Sequence, residues 1–536
     1  MPTEDIPKED PNIPSKLAKA IKAYAKISDI KKSQSKDDND AAMTSAVWYE
    51  KIRAAVEYQE AHLMFKSAVF RIMQRNVLLN HKVKAERLFN NVVNELTWAN
   101  YLNPKIFNDE KLGAEVTLTL DKYLKIIRRS NSDHQTYTEL VRYFSGLCAC
   151  EVEELIFSKE ADLKFLEFVY NAVVDNFKFN ENHIHAVDHE IQLKLAIYTI
   201  LVKPDFNYLS YNALKLVYPS WRNMDEQKYL PLTKNIDQFM QSYECQITFH
   251  LRNRYLLAFR NMAAPFSVMR TYFLTSNIDD EWAEKNPTML EYNLSQAYES
   301  LRFQSNLKIW RGIWRALIFI FCSKMILAFI IEIPVDKMIH GSILWIPLIA
   351  NISFPPLLMF VSGASIPKIP TGNSELMKES IADIVRTGKL PTEKPVLIEI
   401  KKKTAASSAF NFVLSVYSIG ILAFVVWLLV HFKFSVVSIL LFFLFVSAVS
   451  FLSFRIRVNS KELLVRRRSQ DSITTVVEFF FLPFITLGKW MSDRLNRLNP
   501  ILLAIDFIIE APFKTIIKIF RTWFNFISSK KDELEY

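Results

Sequence analysis

The stretch Ala316–Ile333, ALIFIFCSKMILAFIIEI, is apolar on both sides of a lysine, Lys324, set near its middle. Its length matches the roughly 20 residues that cross the hydrocarbon of a bilayer as a helix. An ammonium at that depth costs about 2.5–3.5 kcal/mol on insertion-based scales, so it must find a partner or water. Outward from this stretch the chain changes character. Up to about residue 300 apolar residues alternate with charges at globular density, whereas beyond it four runs reach spanning length, about 314–333, 343–361, 410–430 and 436–454. The expectation is an all-α protein in four parts. A flexible N-terminal tail covers 1–40, a cytosolic helical domain 41–310, a four-span transmembrane domain 311–456, and a membrane-associated C-terminal hairpin of re-entrant or interfacial amphipathic helices 457–536.

Glycine usage supports helix and removes whole classes of function. Only nine glycines occur in 536 residues, and only Gly113 and Gly146 precede residue 300. Sheets use glycine in tight turns and bulges. Phosphate-binding loops need glycines a few residues apart, and no two here are closer than Gly363 and Gly372, which excludes glycine-loop nucleotide sites. The cysteines are Cys148, Cys150, Cys245 and Cys322, with no CxxC pair. Cys148 and Cys150 are too close together for a structural zinc site of their own, so a buried reduced pair in a cytosolic domain is expected. The segment ENHIHAVDHE sets His185 and His189 at the i, i+4 spacing that can grip a metal, next to His183, but lacks the HExxH glutamate. Surface histidines are the plainer reading, so no metal and no cofactor are expected. No nucleophile elbow, calcium loop or catalytic carboxylate pair stands out, so the chain does not read as an enzyme.

Within the first 300 residues, Thr44–Tyr101 carries apolar residues at helical spacing without proline or glycine, predicting one long helix or two stacked ones. A short amphipathic helix is expected around Ser15–Ile30. Further helical patterns lie near 114–129, 134–147, 160–176, 186–202, 207–218, 232–262 and 281–310. Turn signals at Asn103–Pro104, Lys203–Asp205 and Asn286–Pro287 separate them. Between Met289 and Ile333 there is no helix breaker but Gly312, so the last pattern predicts one rigid helix entering the membrane. The first twenty residues hold no apolar core of a signal peptide, and a cleaved leader is not expected.

The net charge of +10 is placed by the membrane rather than by nucleic acid. Four Lys or Arg precede the first span, eight lie between the second and third, and six follow the fourth, against one each in the two opposite loops, Lys337 and Lys433. By the positive-inside rule both termini and the middle connector face the cytoplasm of a multi-pass protein. The clusters Lys401, Lys402, Lys403 and Arg466, Arg467, Arg468 are candidates for contact with anionic lipid.

Two features complicate the membrane half. The second run contains Pro347, Asn351, Pro355 and Pro356, which would kink a helix or, as in some transporters, break it beside a substrate path. After the fourth run, TTVVEFFFLPFITLGKW is interrupted by Glu478 and Pro483. It is followed by a greasy helix with one polar stripe: Asp506, Glu510, Lys514, Lys518, Arg521 and Asn525. Glu332 lies eight residues from Lys324, about 12 Å along a helix, and reads as too distant for a bridge. Glu478, Asp506 and Glu510 are the preferred partners, then Asn351, and Lys324 is expected to dock the C-terminal hairpin against the first span.

The stretches SKMILAFIIEIPVD (Ser323–Asp336), NISFPPLLMF (Asn351–Phe360) and GKWMSDRLNRLNPILLAIDFIIEAPFKTIIKIFRTW (Gly488–Trp523) resemble uncharacterised multi-spanning membrane proteins of candidate-phyla-radiation bacteria, the Patescibacteria. The resemblance covers roughly residues 300–536, and it implies a bacterial membrane protein without implying an activity. The expectation is a cytoplasmic-membrane scaffold or interaction protein that offers its helical domain to a cytosolic protein partner. Self-association as a homo-oligomer is left open, and a transporter or channel with a polar path near Lys324 is the alternative.

Overall fold

The computed structural model describes residues 13–34, 64–98, 110–129, 134–157, 159–179, 184–276, 286–342, 344–364, 372–391, 395–399, 405–460 and 472–495. Over these the protein is all-α apart from two three-residue strands.

Helix α1 (Ser15–Gln34) falls where a short amphipathic helix is expected, but it is no part of a free tail. Leu17, Ala20, Ile21 and Tyr24 are all buried, at the i, i+3, i+4, i+7 spacing that makes one face. Alanine makes that face weakly hydrophobic, which is why composition alone assigns the segment to a tail. Two hydrophobic cores follow. One is built by α2 (Met64–Leu79), α3 (Ala85–Trp98), α4 (Glu110–Arg129) and α5 (His134–Ile156), with α8 (Phe206–Val217), α9 (Glu226–Leu232) and α10 (Ile236–Ile247). The other gathers α1, α6 (Glu160–Val173), α11 (Arg252–Arg260), α12 (Ala264–Thr275) and the first turns of α13 (Pro287–Leu327). Helix α7 (Ala186–Leu201) is the wall between them: Ile191 and Leu195 face the first core, Leu193, Ala196 and Ile197 the second. A helix apolar on both sides is a buried one.

Each core carries polar groups that are paired. In the first, Lys122 donates to Glu151 Oε1 at 2.5 Å, while Tyr123 and Trp221 donate to Glu151 Oε2 at 2.8 and 3.2 Å. Burial first, and then the Glu151 charge, pushes the Tyr123 hydroxyl pKa up. Cys148 and Cys150 are buried free thiols, and burial raises both well above their ordinary value.

The connector between the second and third spans does not hang as a basic loop. Its helix α16 (Gly372–Thr387) buries Met377, Ile381, Ile384 and Val385 in the same core as α1. Beyond it Leu390 exchanges hydrogen bonds with α6 and the residues that follow, its N–H donating to Ala172 O at 3.1 Å and its carbonyl accepting from Asn176 Nδ2 at 2.7 Å. The strand β2 (Val396–Ile398) then pairs in parallel with β1 (Phe177–Phe179), Phe177 opposite Val396.

Four helices are long and apolar enough to cross a membrane, Pro287–Ile339, Trp345–Gly363, Phe412–His431 and Val436–Ile456, matching the expected spans. The first is continuous, as expected: α13 runs through a π-helical turn, Ala328–Glu332, into α14 (Ile333–His340). The second, α15 (Trp345–Ala364), is kinkable but unbroken, with Pro355 and Pro356 inside it. The third and fourth are α17 (Ala405–His431) and α18 (Val436–Ser460), and α19 (Ser472–Leu495) lies against α18. Small residues set the closest approaches, as is usual between membrane helices. A Cβ on Gly363 would come within 2.8 Å of Ile313 Cγ2, and one on Gly488 would collide with the Ser447 carbonyl and reach 2.7 Å from Phe451 Cβ. Large side chains such as Phe319, Ile330, Ile346 and Phe424 point outward, which suits lipid and not water.

Candidate functional site

The first, second and fourth spans enclose a polar cluster. Lys324 Nζ meets Glu332 Oε1 at 2.5 Å, and both side chains are completely buried. Asn351 Nδ2 donates to the same oxygen at 2.9 Å and to the Ser438 carbonyl at 3.1 Å, tying α15 to the start of α18. The Lys324 ammonium also sits 5.1 Å from the centre of the Phe445 ring, whose face attracts a cation. Around Asn351 the backbone is unusual for a simple reason: Pro355 has no N–H, so the Asn351 carbonyl has no i+4 helical donor.

Glu332 is therefore the partner of Lys324, against the sequence expectation that it lies too far away. In a regular α-helix the eighth residue on lies about 80° round and about 12 Å along, facing away. The π turn inserts one extra residue, so position i+8 takes the place that i+7 would hold, almost directly in line. The lysine and glutamate chains then lean toward one another along the axis and close the gap.

Other expected members fall differently. Asn351 belongs to the cluster. Glu478 lies on α19, and its side chain is outside what the structure describes, while Asp506 and Glu510 lie outside the described residues, as do Lys401, Lys402, Lys403, Arg466, Arg467 and Arg468. Lys324 is thus held by a bond within the first span's own helix, and the expected docking of the hairpin through Glu478, Asp506 and Glu510 falls on side chains outside the described residues. Of the histidines, His183 lies outside the described residues, His185 is exposed, and His189 turns inward, 2.8 Å from the Tyr255 hydroxyl and stacked on Phe179.

Asp336 was not foreseen. It is 2 % exposed, and its Oδ1, like Glu332 Oε2 and Asn351 Oδ1, has no hydrogen-bond partner among the described residues. The signal was present in the sequence: Lys324, Ala328, Glu332 and Asp336 recur at steps of four. Ser438, Ser447, Ser450 and Ser453 of α18, and Ser435 just before it, are also buried. Chemically the cluster offers one ammonium, two carboxyls and an amide in a closed apolar surround, with acceptor capacity left over. That combination can act as a lock between helices or hold a proton.

No family model, curated protein or solved structure matches the chain.

Proposed function

We propose that the chain is an integral protein of a bacterial cytoplasmic membrane that acts as an anchored scaffold or interaction protein, presenting its helical domain to cytosolic protein partners. The observation that carries this reading is the unbroken helix from Pro287 to His340, whose first turns belong to the domain core and whose end belongs to the membrane bundle. A partner bound to the domain is then held at a set position over the bilayer. The docked connector supports the orientation: α16 and α1 share one core, so the connector and the N-terminal helices must lie on one side. By the positive-inside rule the charge pattern supports a cytoplasmic location for that side. Anionic lipid would meet the clusters at Lys401–Lys403 and Arg466–Arg468 from the same side.

A transporter or channel is the rival, and the unpartnered oxygens of Glu332, Asp336 and Asn351 speak for it. The complete burial of Lys324 and Glu332 speaks against it, because a conducting path needs water at its charged groups. Proteoliposomes carrying a pH-sensitive dye and a potassium gradient separate the two. The scaffold reading expects no protein-dependent proton or potassium leak, and a leak abolished by Lys324→Met would overturn it.

A further inference from the structure

The polar cluster between the spans holds more negative charge than positive. Lys324 supplies one cation, while Glu332 and Asp336 supply two carboxylates, and all three side chains are buried. Lys324 and Asn351 both donate to Glu332 Oε1, at 2.5 and 2.9 Å, so that oxygen is doubly engaged while Oε2 has no partner among the described residues. Asp336 forms no ion pair among the described residues, and the two lysines at that end of the spans, Lys337 and Lys433, are exposed. One negative charge is left over in an apolar surround, where an unpaired ion is costly. The unfilled acceptors show what kind of group could balance it. Both N–H bonds of the Asn351 amide are used, on Glu332 and on the Ser438 carbonyl at 3.1 Å. Turning the amide over would set its oxygen against two acceptors, so its orientation is fixed and Oδ1 is an acceptor that no donor among the described residues meets. Asp336 follows Glu332 by four residues, the spacing that puts two side chains on one helix face about 5–6 Å apart at Cβ. Its Oδ1 is the third such acceptor.

We propose that Glu332, Asp336 and Asn351 bind one dehydrated alkali cation, sodium by size. Carboxylate and carbonyl oxygens are the ligands of hard cations. A single positive charge brings the cluster to neutrality, whereas a divalent ion would leave it positive. Pro355, inside α15, adds to the oxygen supply by leaving the Asn351 carbonyl without its helical donor. Broken membrane helices offer backbone oxygens to sodium in the same way. Glu332 and Asn351 are completely buried, which keeps out a hydrated ion and favours a small bare one. The bound ion is a counter-charge that ties the end of the first span to the second. It needs no conducting path, so it stands apart from the scaffold reading and from the leak experiment that tests that reading.

The test follows the melting temperature of the purified full-length protein in detergent, with sodium chloride exchanged for choline chloride at constant ionic strength. Wild type should gain a few degrees over about a hundredfold rise in sodium, because a ligand bound only by the folded state stabilises it. Asp336→Asn keeps the shape of the side chain and removes the excess charge. It should melt no lower than wild type in choline and gain nothing from sodium. Repeating the wild-type series from neutral to mildly acid pH separates the metal ion from a proton. Absence of a sodium-dependent rise in wild type overturns the proposal, as does an Asp336→Asn protein that keeps the rise or melts below wild type in choline. A rise produced by acidification alone, with nothing added by sodium at any pH, also overturns it and makes the counter-charge a proton.

Discussion

Removing either member of the Lys324–Glu332 pair strands the other inside a closed apolar bundle. Breaking a buried pair from one side costs about 3–5 kcal/mol, whereas replacing both partners by apolar residues is often neutral. Lys324→Met and Glu332→Leu should therefore each lower the melting temperature of the purified protein, and the double variant should recover most of the loss. A double variant as unstable as the two losses added together would show that the residues act separately. In the helical domain the informative group is His189, whose burial lowers its pKa below the ordinary imidazole range. The unfolded imidazole titrates near 6.5, so between the two values the unfolded state binds more protons and stability rises with pH. The contribution is complete above about pH 6.5 and is lost as the pH falls below it. His189→Gln should flatten the melting-temperature profile between neutral and mildly acid pH. At this scale Lys324 and Asn351 were legible as misplaced polar groups. The partner was not, because a π turn leaves no mark in local sequence and changes which residues face one another.

Helix α13 makes the account testable at the level of one element. Gly312 lies in its middle, and a Cβ there would meet nothing within 4 Å. Gly312→Ala should accordingly stabilise the protein by about 0.5–1 kcal/mol, since glycine's conformational freedom is lost without compensation in a helix interior. Gly312→Pro should cost about 3 kcal/mol and loosen the domain from the spans, visible as new protease cleavage beside Trp310. The start of this helix was readable from Asn286–Pro287, and its continuity from the lack of breakers. The expected pattern over 232–262 fared less well, because it divides into α10 and α11 at residues 248–251, which contain neither proline nor glycine. Packing against α7 and β2, and not local propensity, sets that break.

At the scale of the whole molecule, hydropathy was enough to find the four helices long and apolar enough to cross a membrane, because that signal is summed over about twenty residues and tolerates local error. The assembly of the helical domain was not readable, since its second core borrows α16 and β2 from beyond the second span. That long-range closure makes the domain and the bundle neighbours by two routes, one helix and one connector. The central claim is that the helix route is rigid from domain to far membrane face. Spin labels at Phe303→Cys and Met338→Cys, both exposed positions, test it in a background lacking the exposed Cys245 and Cys322. Thirty-five residues of helix separate them, about 52 Å at 1.5 Å per residue. Pulsed electron–electron resonance in lipid nanodiscs should give one narrow distance distribution near 50 Å. A broad distribution, or one centred well below that length, would contradict a continuous helix joining the two halves.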